Sequence, residues 1–365
     1  MSDPAFGAPE ALMARALRLA ERGMMTTHPN PRVGCVIVRD GIIVGEGAHE
    51  RAGEPHAEVH ALRSAGDRAR GADVYVSLEP CCHHGRTPPC TDALIAAGVA
   101  RVFVATADPN PKVAGQGIQR LRAAGIEVHV GLLAAEAQRI NRGFFARMMR
   151  GRPWLVLKLA MSLDARTAMA SGESQWITGE AARADAHRLR AEAGAVLTGV
   201  GTVVADDPRL SARGLGEGVR QPDRIVLDTQ ARAPVHARVW QPGARRLWIT
   251  RQLPPIVPEG VTVVLAGADA QGRIDLKDAL QALARHEVNE ILAECGPRLA
   301  GSLLEQGLVD EIIAYVAPKL LGDQARPLAH LPGIERLTQA LVWRWVDVRQ
   351  IGDDVRLILQ PRTCI

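Results

Sequence analysis

Apolar positions in the first 150 residues alternate between helical spacing and short β-branched runs. Residues 10–22 are amphipathic at helical spacing. Val33 to Val38 is a β-branched run that Asp40-Gly41 turns back into Ile42-Ile43-Val44, the signature of a hairpin. The pattern further predicts helices over 56–65, from Cys90 or Thr91 to Ala97, and over 118–124, with one longer helix toward Arg150. Strands are expected over 73–78, 101–106 and 126–130. Such alternation predicts a three-layer α/β/α domain. Gly151-Arg152-Pro153 breaks it and Trp154-Leu155-Val156-Leu157 restarts it, so one domain is expected over 1–150 and a second, also α/β, over 151–365. The second carries apolar strands at 195–197, 224–227, 245–250, 261–265, 290–293 and 311–316, and Gly- and Pro-rich loops at 213–222 and 253–260.

A chain of 365 residues is long enough for two cores, and 47% hydrophobic with 23% charged residues is an ordinary soluble composition. No apolar run reaches membrane-span length and no basic-then-apolar leader opens the chain, so a cytoplasmic location without membrane partners is expected. A net charge of +4 is too small to imply nucleic acid, and 3% aromatics leave little for base stacking. Lysine stands only at Lys112, Lys158, Lys277 and Lys319 in an arginine-rich chain, so each lysine is a candidate for a role that needs lysine. Of the six cysteines, Cys35, Cys81, Cys82, Cys90, Cys295 and Cys364, only the middle three cluster, which reads as metal chemistry and not as a disulfide framework.

The cluster has the residues for a zinc site. His56, Cys81 and Cys90 supply three ligands and leave the fourth position for water, the pattern of a catalytic centre. Glu58, two residues past His56, points to another azimuth of the helix and stays free to move protons, as in zinc deaminases. Two thiolates balance the charge of the metal, which lowers the pKa of a bound water to roughly 7. Cys81 and Cys90 each follow proline and are expected at helix starts, where the dipole favours an anion, and Pro55 is expected at the first position of the helix that carries His56. The alternative is a closed structural knot with Cys82, His83 or His84 as fourth ligand. Knots usually come as two tight ligand pairs, and these ligands lie far apart along the chain.

In the second half, Lys158 interrupts an apolar strand, where an unpaired charge is costly. Either it is paired or functional, with Glu294 as acidic partner, or it reaches solvent at the strand end. Leu197-Thr198-Gly199-Val200-Gly201 fails as a dinucleotide fingerprint because Val204 holds the third glycine's place. The small turn from Glu294 to Ser302, before an apolar helix, offers backbone N–H groups to a phosphate; otherwise it is an ordinary strand-to-helix turn.

With these residues in view, the N-terminal half resembles the cytidine and nucleobase zinc deaminases, and more closely the deaminase half of the bifunctional riboflavin-biosynthesis deaminase–reductases. The resemblance rests on His28-Pro29-Asn30-Pro31-Arg32-Val33-Gly34 and on the long loop His83-His84-Gly85-Arg86-Thr87-Pro88-Pro89 between the cysteines. Cys82 stands where that family usually has serine and is read as a spectator. Leu157-Lys158-Leu159-Ala160-Met161-Ser162-Leu163-Asp164, Ser171-Gly172-Glu173-Ser174-Gln175-Trp176-Ile177-Thr178, Glu294-Cys295-Gly296-Pro297 and the stretches 201–208 and 317–322 extend the likeness to the reductase half. That half has a fold similar to dihydrofolate reductase, and Ala165 stands where glycine is common.

The resemblance implies Zn2+ and NADPH as cofactors, a pyrimidine ribotide as substrate and a homo-oligomer. It implies that Asn30 and His83 help hold the pyrimidine and its ribose phosphate, and that Ser174, Arg190, Leu210, Arg213 and Glu294 contact substrate in the second half. Ala160, Trp176, Thr202, Asp206 and the run Gly296, Pro297, Arg298, Leu299, Ala300, Gly301 and Ser302 would line the NADPH site. Glu58, Lys158 and Glu294 are then the catalytic candidates, for deamination and for reduction of the ribosyl to a ribityl chain. A tRNA adenosine or free nucleobase deaminase would use the same zinc set but leaves the second half unexplained. A non-catalytic, zinc-stabilised binding module predicts that Glu58 is dispensable.

Overall fold

The computed structural model describes residues 8–83 and 88–362, in two compact units that meet between Gly151 and Arg152. The first unit opens with α1 (Pro9–Ala20), the hairpin β1 (Gly34–Arg39) and β2 (Ile42–Ala48), and α2 (Ala57–Ala65). β3 (Asp73–Val76), α3 (Cys90–Ala97), β4 (Arg101–Val104), α4 (Gln116–Ala123), β5 (Glu127–Val130), α5 (Ala134–Ile140) and α6 (Arg142–Arg150) follow. Among the described residues its strands lie in the order β2-β1-β3-β4-β5, with β1 antiparallel to both neighbours and the rest parallel. Residues on β1 alternate between two cores. Cys35 and Ile37 face Val74, Leu94 and Leu121, whereas Val36 and Val38 face Met13, Ala16 and Ile140. Burial on both faces makes the layer between helices. Cβ atoms on Gly45 and Gly47 would come within 2.3 and 2.2 Å of the Ala61 and Ala57 carbonyl oxygens, so only glycine lets α2 lie this close to β2.

The single long helix expected before Arg150 is two helices. Asn141 leaves helical geometry at φ −107°, and its side-chain amide closes a pair of bonds with the Arg32 backbone, at 2.8 and 2.9 Å. A side chain that captures a distant backbone competes with the helix ladder and ends it.

The second unit contains β6 (Trp154–Ser162), β7 (Arg166–Ala168), α7 (Glu180–Ala193), β8 (Ala195–Gly199), α8 (Val200–Asp206), β9 (Asp223–Leu227), β10 (Arg246–Thr250) and β11 (Val261–Leu265). α9 (Leu276–Arg285), β12 (Glu290–Ala293), α10 (Pro297–Glu305), β13 (Glu311–Ala317), β14 (Arg326–Pro327), β15 (Trp343–Ile351) and β16 (Asp354–Pro361) complete it. The described sheet runs β11-β10-β9-β8-β12-β6-β13-β16-β15, parallel from β11 to β13 and antiparallel beyond. β12 is inserted between β8 and β6, so the chain reverses its direction of travel across the sheet there. In an open α/β sheet the carboxyl ends of strands at such a switch form a ligand crevice. The hairpin β15–β16 was not among the strands expected from the sequence, because charged residues interrupt its apolar alternation. Ala165 has φ 58°, a left-handed conformation that explains why glycine is common there. Among the described residues no helix is long and apolar enough to cross a membrane.

Candidate functional site

In the first unit, His56 caps α2 with extended backbone, and its carbonyl oxygen accepts from the N–H groups of Val59 and His60 at 3.1 and 3.2 Å. Pro55 therefore stands outside the helix and not at its first position. Cys90 is the first residue of α3, as expected. Cys81 corrects the expectation of a second helix start, since it lies in a segment without regular secondary structure after β3. It still draws on a helix N-terminus, that of α3, because the Cys90 N–H donates to its Sγ at 3.3 Å.

His56 Nδ1 lies 3.3 Å from Cys90 Sγ and 3.6 Å from Cys81 Sγ, with all three donor atoms within 4.8 Å of one another. Tetrahedral zinc with ordinary bond lengths needs its nitrogen and sulfur ligands about 3.5 to 3.8 Å apart, so the donors are spaced for it. The Cys90 thiol donates to Cys81 and, with help from His56, holds it down at about 4. Cys90 is pushed up by that same bond and by burial, and His56 is pushed up chiefly by its bond to Cys81. Glu58 is 3% exposed, and its Oε2 is buried without a hydrogen-bond partner. Burial, then the Cys81 charge, raises its carboxyl. Among the described residues neither Cys82 nor His83 joins the donor group.

The surroundings bring in residues that sequence reasoning missed. Buried His49 donates from Nδ1 to the Pro55 carbonyl at 3.1 Å and accepts at Nε2 from the Asn30 amide at 3.0 Å. Burial lowers its pKa, and its ring meets that of His56 edge-on at 5.1 Å. A neutral His49 thus orients Asn30 beside the cluster. Buried Glu79 accepts from the backbone N–H groups of Asp108, Gly115 and Ile118 at 3.0 to 3.1 Å. A Cβ on Gly117 would come within 2.1 Å of the Pro80 carbonyl oxygen, so the start of α4 clamps the segment that carries Cys81. Asp108 is pushed up to about 7 by burial, with the charge of Glu79 adding. The sequence signal for Asp108 was the run Asp108-Pro109-Asn110-Pro111 after a strand. The His83 ring has a buried, unpartnered Nδ1. His84 to Thr87, the middle of the loop read as substrate-binding, and Cys364 lie outside the described residues.

In the second unit a cleft of about 1980 Å³ opens where β6, β8, β9 and β12 end. Lys158 and Ala160 reach it from β6, and Thr202 and Asp206 from α8. Ser174, Trp176, Leu210 and Arg213 border it on loops. Glu294 sits between two cations: Arg190 grips it at 2.6 and 2.9 Å, and Lys158 Nζ is 4.0 Å away. Burial alone would raise the Glu294 carboxyl, but the charge and bonds of Arg190 hold it at about 2. Burial lowers Lys158, and Glu294 opposes this. Arg190, expected on a ribose phosphate, lines the cleft and bonds both Glu294 and the Ser211 carbonyl, whereas Arg213 stays exposed.

A dinucleotide fits this cleft. Gly296 caps α10 in extended conformation, with open space where a Cβ would stand, so a phosphate can approach the helix N-terminus. Gly296, Pro297, Arg298, Leu299 and Ser302 line the cleft. The side-chain positions of Ala300 and Gly301, from the same expected run, turn away from it. Helical rotation turns Ala300 into the core, and a Cβ on Gly301 would meet the His330 carbonyl oxygen at 1.9 Å. Thr229, past the end of β9, borders the cleft and was not anticipated.

Comparison with known proteins matches residues 8–106 to the cytidine and deoxycytidylate deaminase zinc-binding region and residues 153–357 to the RibD C-terminal domain. The chain is 54% identical over 362 residues to the riboflavin biosynthesis protein RibD of Escherichia coli, covering 96% of this chain and 98% of that one. It is 46% identical over 368 residues to the protein of that name from Haemophilus influenzae, with 96% of each covered. Among solved structures, RibD of Acinetobacter baumannii in its form 1 superposes with a TM-score of 0.90 at 45% identity, over 97% of this chain and 99% of that one. A diaminohydroxyphosphoribosylaminopyrimidine deaminase/5-amino-6-(5-phosphoribosylamino)uracil reductase from Thermotoga maritima gives 0.86 at 34%, over 97% and 98%.

Proposed function

The chain belongs to the family of bifunctional riboflavin-biosynthesis deaminase–reductases, and we propose that its two sites act in succession on one pyrimidine ribotide. The first deaminates 2,5-diamino-6-(5-phosphoribosylamino)pyrimidin-4(3H)-one at C2. The second reduces the ribosyl group of the product to give 5-amino-6-(5-phosphoribitylamino)uracil. When bound, zinc acidifies a water in the first site and NADPH supplies a hydride in the second.

In the first site His56, Cys81 and Cys90 hold the metal, and Asn30, oriented by His49, and His83 hold the pyrimidine. Glu58 takes the proton of the attacking water and hands it to the departing ammonia. Burial raises its carboxyl above the usual carboxylate range, the direction that favours taking up and returning a proton. In the second site a proton must reach the ribose ring oxygen as the C1′–oxygen bond breaks and hydride adds to C1′. Lys158 is the donor, Glu294 keeps it charged, and Ser174, Leu210 and Arg213 border the ribose phosphate. Ala160, Trp176, Thr202, Asp206 and the start of α10 hold the cofactor.

The observation that carries this reading is the pairing, on one chain, of a three-donor metal set beside a buried carboxylate, one of whose oxygens has no hydrogen-bond partner, with a separate cleft of dinucleotide size. The test supplies the diaminopyrimidine ribotide without NADPH. Ammonia should be released, and later addition of NADPH should convert the accumulated product. Absence of ammonia would defeat the assignment. The substrate is a free small molecule handled in the cytoplasm, with neither nucleic acid nor membrane taking part. The chain works as a homo-oligomer: β15 is a sheet edge with Trp345, Val346 and Val348 between 46% and 63% exposed, a surface suited to a second copy.

A further inference from the structure

Lys158 is only partly fixed by the groups named so far. Glu294, at 4.0 Å, is beyond hydrogen-bond reach and already holds Arg190 with both oxygens. Arg190 bears the same charge as Lys158 and repels it. A further neighbour is Tyr315 on β13, the strand beside β6, whose ring centroid lies 5.8 Å from Lys158 Nζ. Tyr315 is 1% exposed and borders the cleft.

The ring is held from behind by a network that the reaction itself does not use. Its hydroxyl donates to Asp185 Oδ2 on α7 at 2.6 Å. The same oxygen accepts from Arg356 on β16 at 2.8 Å, and Asp185 Oδ1 accepts from Arg188 at 2.7 and 3.0 Å. The Arg356 side chain is 7% exposed and also reaches Asp347 on β15 at 3.3 Å. Burial works against the Asp185 carboxylate, but these donors keep it below its usual range. The phenol, raised by burial and then by Asp185, stays a neutral donor.

We propose that Tyr315 is a positioning residue of the reductase site, whose ring, anchored through its hydroxyl to Asp185 and Arg356, holds the Lys158 ammonium beside Glu294. A flexible lysine stem gains a fixed end when its ammonium rests on an aromatic face in a desolvated cleft. Hydrogen bonding from the phenol to a carboxylate enriches the ring and strengthens the contact.

This inference rests on the assignment of Lys158 to the reduction, and the test separates the two. With four lysines in the chain, [13C]lysine labelling of the full-length protein gives four ε-methylene signals, and Lys158→Arg identifies one by its loss. In the native protein that signal should carry an aromatic ring-current shift. Tyr315→Phe, which keeps the ring but loses its hydroxyl anchor, should lose part of the shift and lower kcat several-fold. Tyr315→Leu should lose the shift and lower kcat for NADPH oxidation with the deaminated ribotide about 30-fold, with KM little changed. The basic limb of its pH profile should move to lower pH, since the ring stabilises the charged form against the burial and the Arg190 charge that oppose it, with Glu294 its remaining support. An unmoved lysine signal and pH limb in Tyr315→Leu would overturn the positioning role. Full reduction by Lys158→Arg would overturn the lysine assignment instead. If Tyr315→Leu does not fold, Asp185→Asn decides: a partial loss of the shift and a several-fold fall in kcat support the anchor, and native values refute it.

Discussion

Replacing Glu294 by glutamine removes one negative charge from between two buried cations and changes little in shape. Its carboxyl is depressed from 4.5 to about 2, and at about 1.4 kcal/mol per unit this amounts to about 3 kcal/mol of stability at neutral pH. The cost of breaking a buried ion pair, about 3 to 5 kcal/mol, agrees by an independent route. Because the folded pKa is depressed, the stabilisation is complete above about pH 4.5 and is lost as pH falls through about 2. The native second unit should therefore lose stability across that interval, and Glu294→Gln should lack this component at every pH. Urea midpoints at pH 7, 4 and 3, read by tryptophan fluorescence, give the comparison. The variant should also reduce the ribotide about 100-fold more slowly, since Lys158 then faces Arg190 without a counter-charge. A variant as stable and as active as the native chain at pH 7 would refute the reasoning.

Cys90→Ser should lower the zinc content measured by atomic absorption well below one per chain and abolish ammonia release, while NADPH oxidation with deaminated substrate persists. Gly117→Ala forces a Cβ against the Pro80 carbonyl oxygen and should cost about 1 to 3 kcal/mol in thermal unfolding, with weaker zinc retention because Cys81 is the neighbouring residue. Val346→Lys on the exposed face of β15 should reduce the sedimenting mass relative to the native chain, and an unchanged mass would place the subunit contact elsewhere.

Much of the metal site was legible because ligand chemistry restricts residue type. Few residues bind zinc, and His56, Cys81 and Cys90 were the clustered set. The local backbone was less legible. A proline precedes loops as readily as helices, so Cys81 was placed at a helix start when its thiolate borrows the N-terminus of α3 instead. His49 and Glu79 act by gripping backbone distant in sequence, which no local pattern encodes. The run from Gly296 to Ser302 was read as one binding segment, but helical periodicity sends Ala300 and Gly301 to the core side. Lys158 was legible as a charge in an apolar strand; the ring beneath it was not, because the parallel pairing of β6 with β13 brings Tyr315 there.

The central claim is that two separate sites on one chain act in order. Glu58→Gln tests it most directly, with ammonia and NADPH followed in the same sample. Supplied with the diaminopyrimidine ribotide, this variant should bind zinc yet release no ammonia and consume no NADPH. Supplied with the deaminated ribotide, it should consume NADPH at the native rate. Retained ammonia release, or loss of NADPH consumption with the deaminated ribotide, would contradict the account.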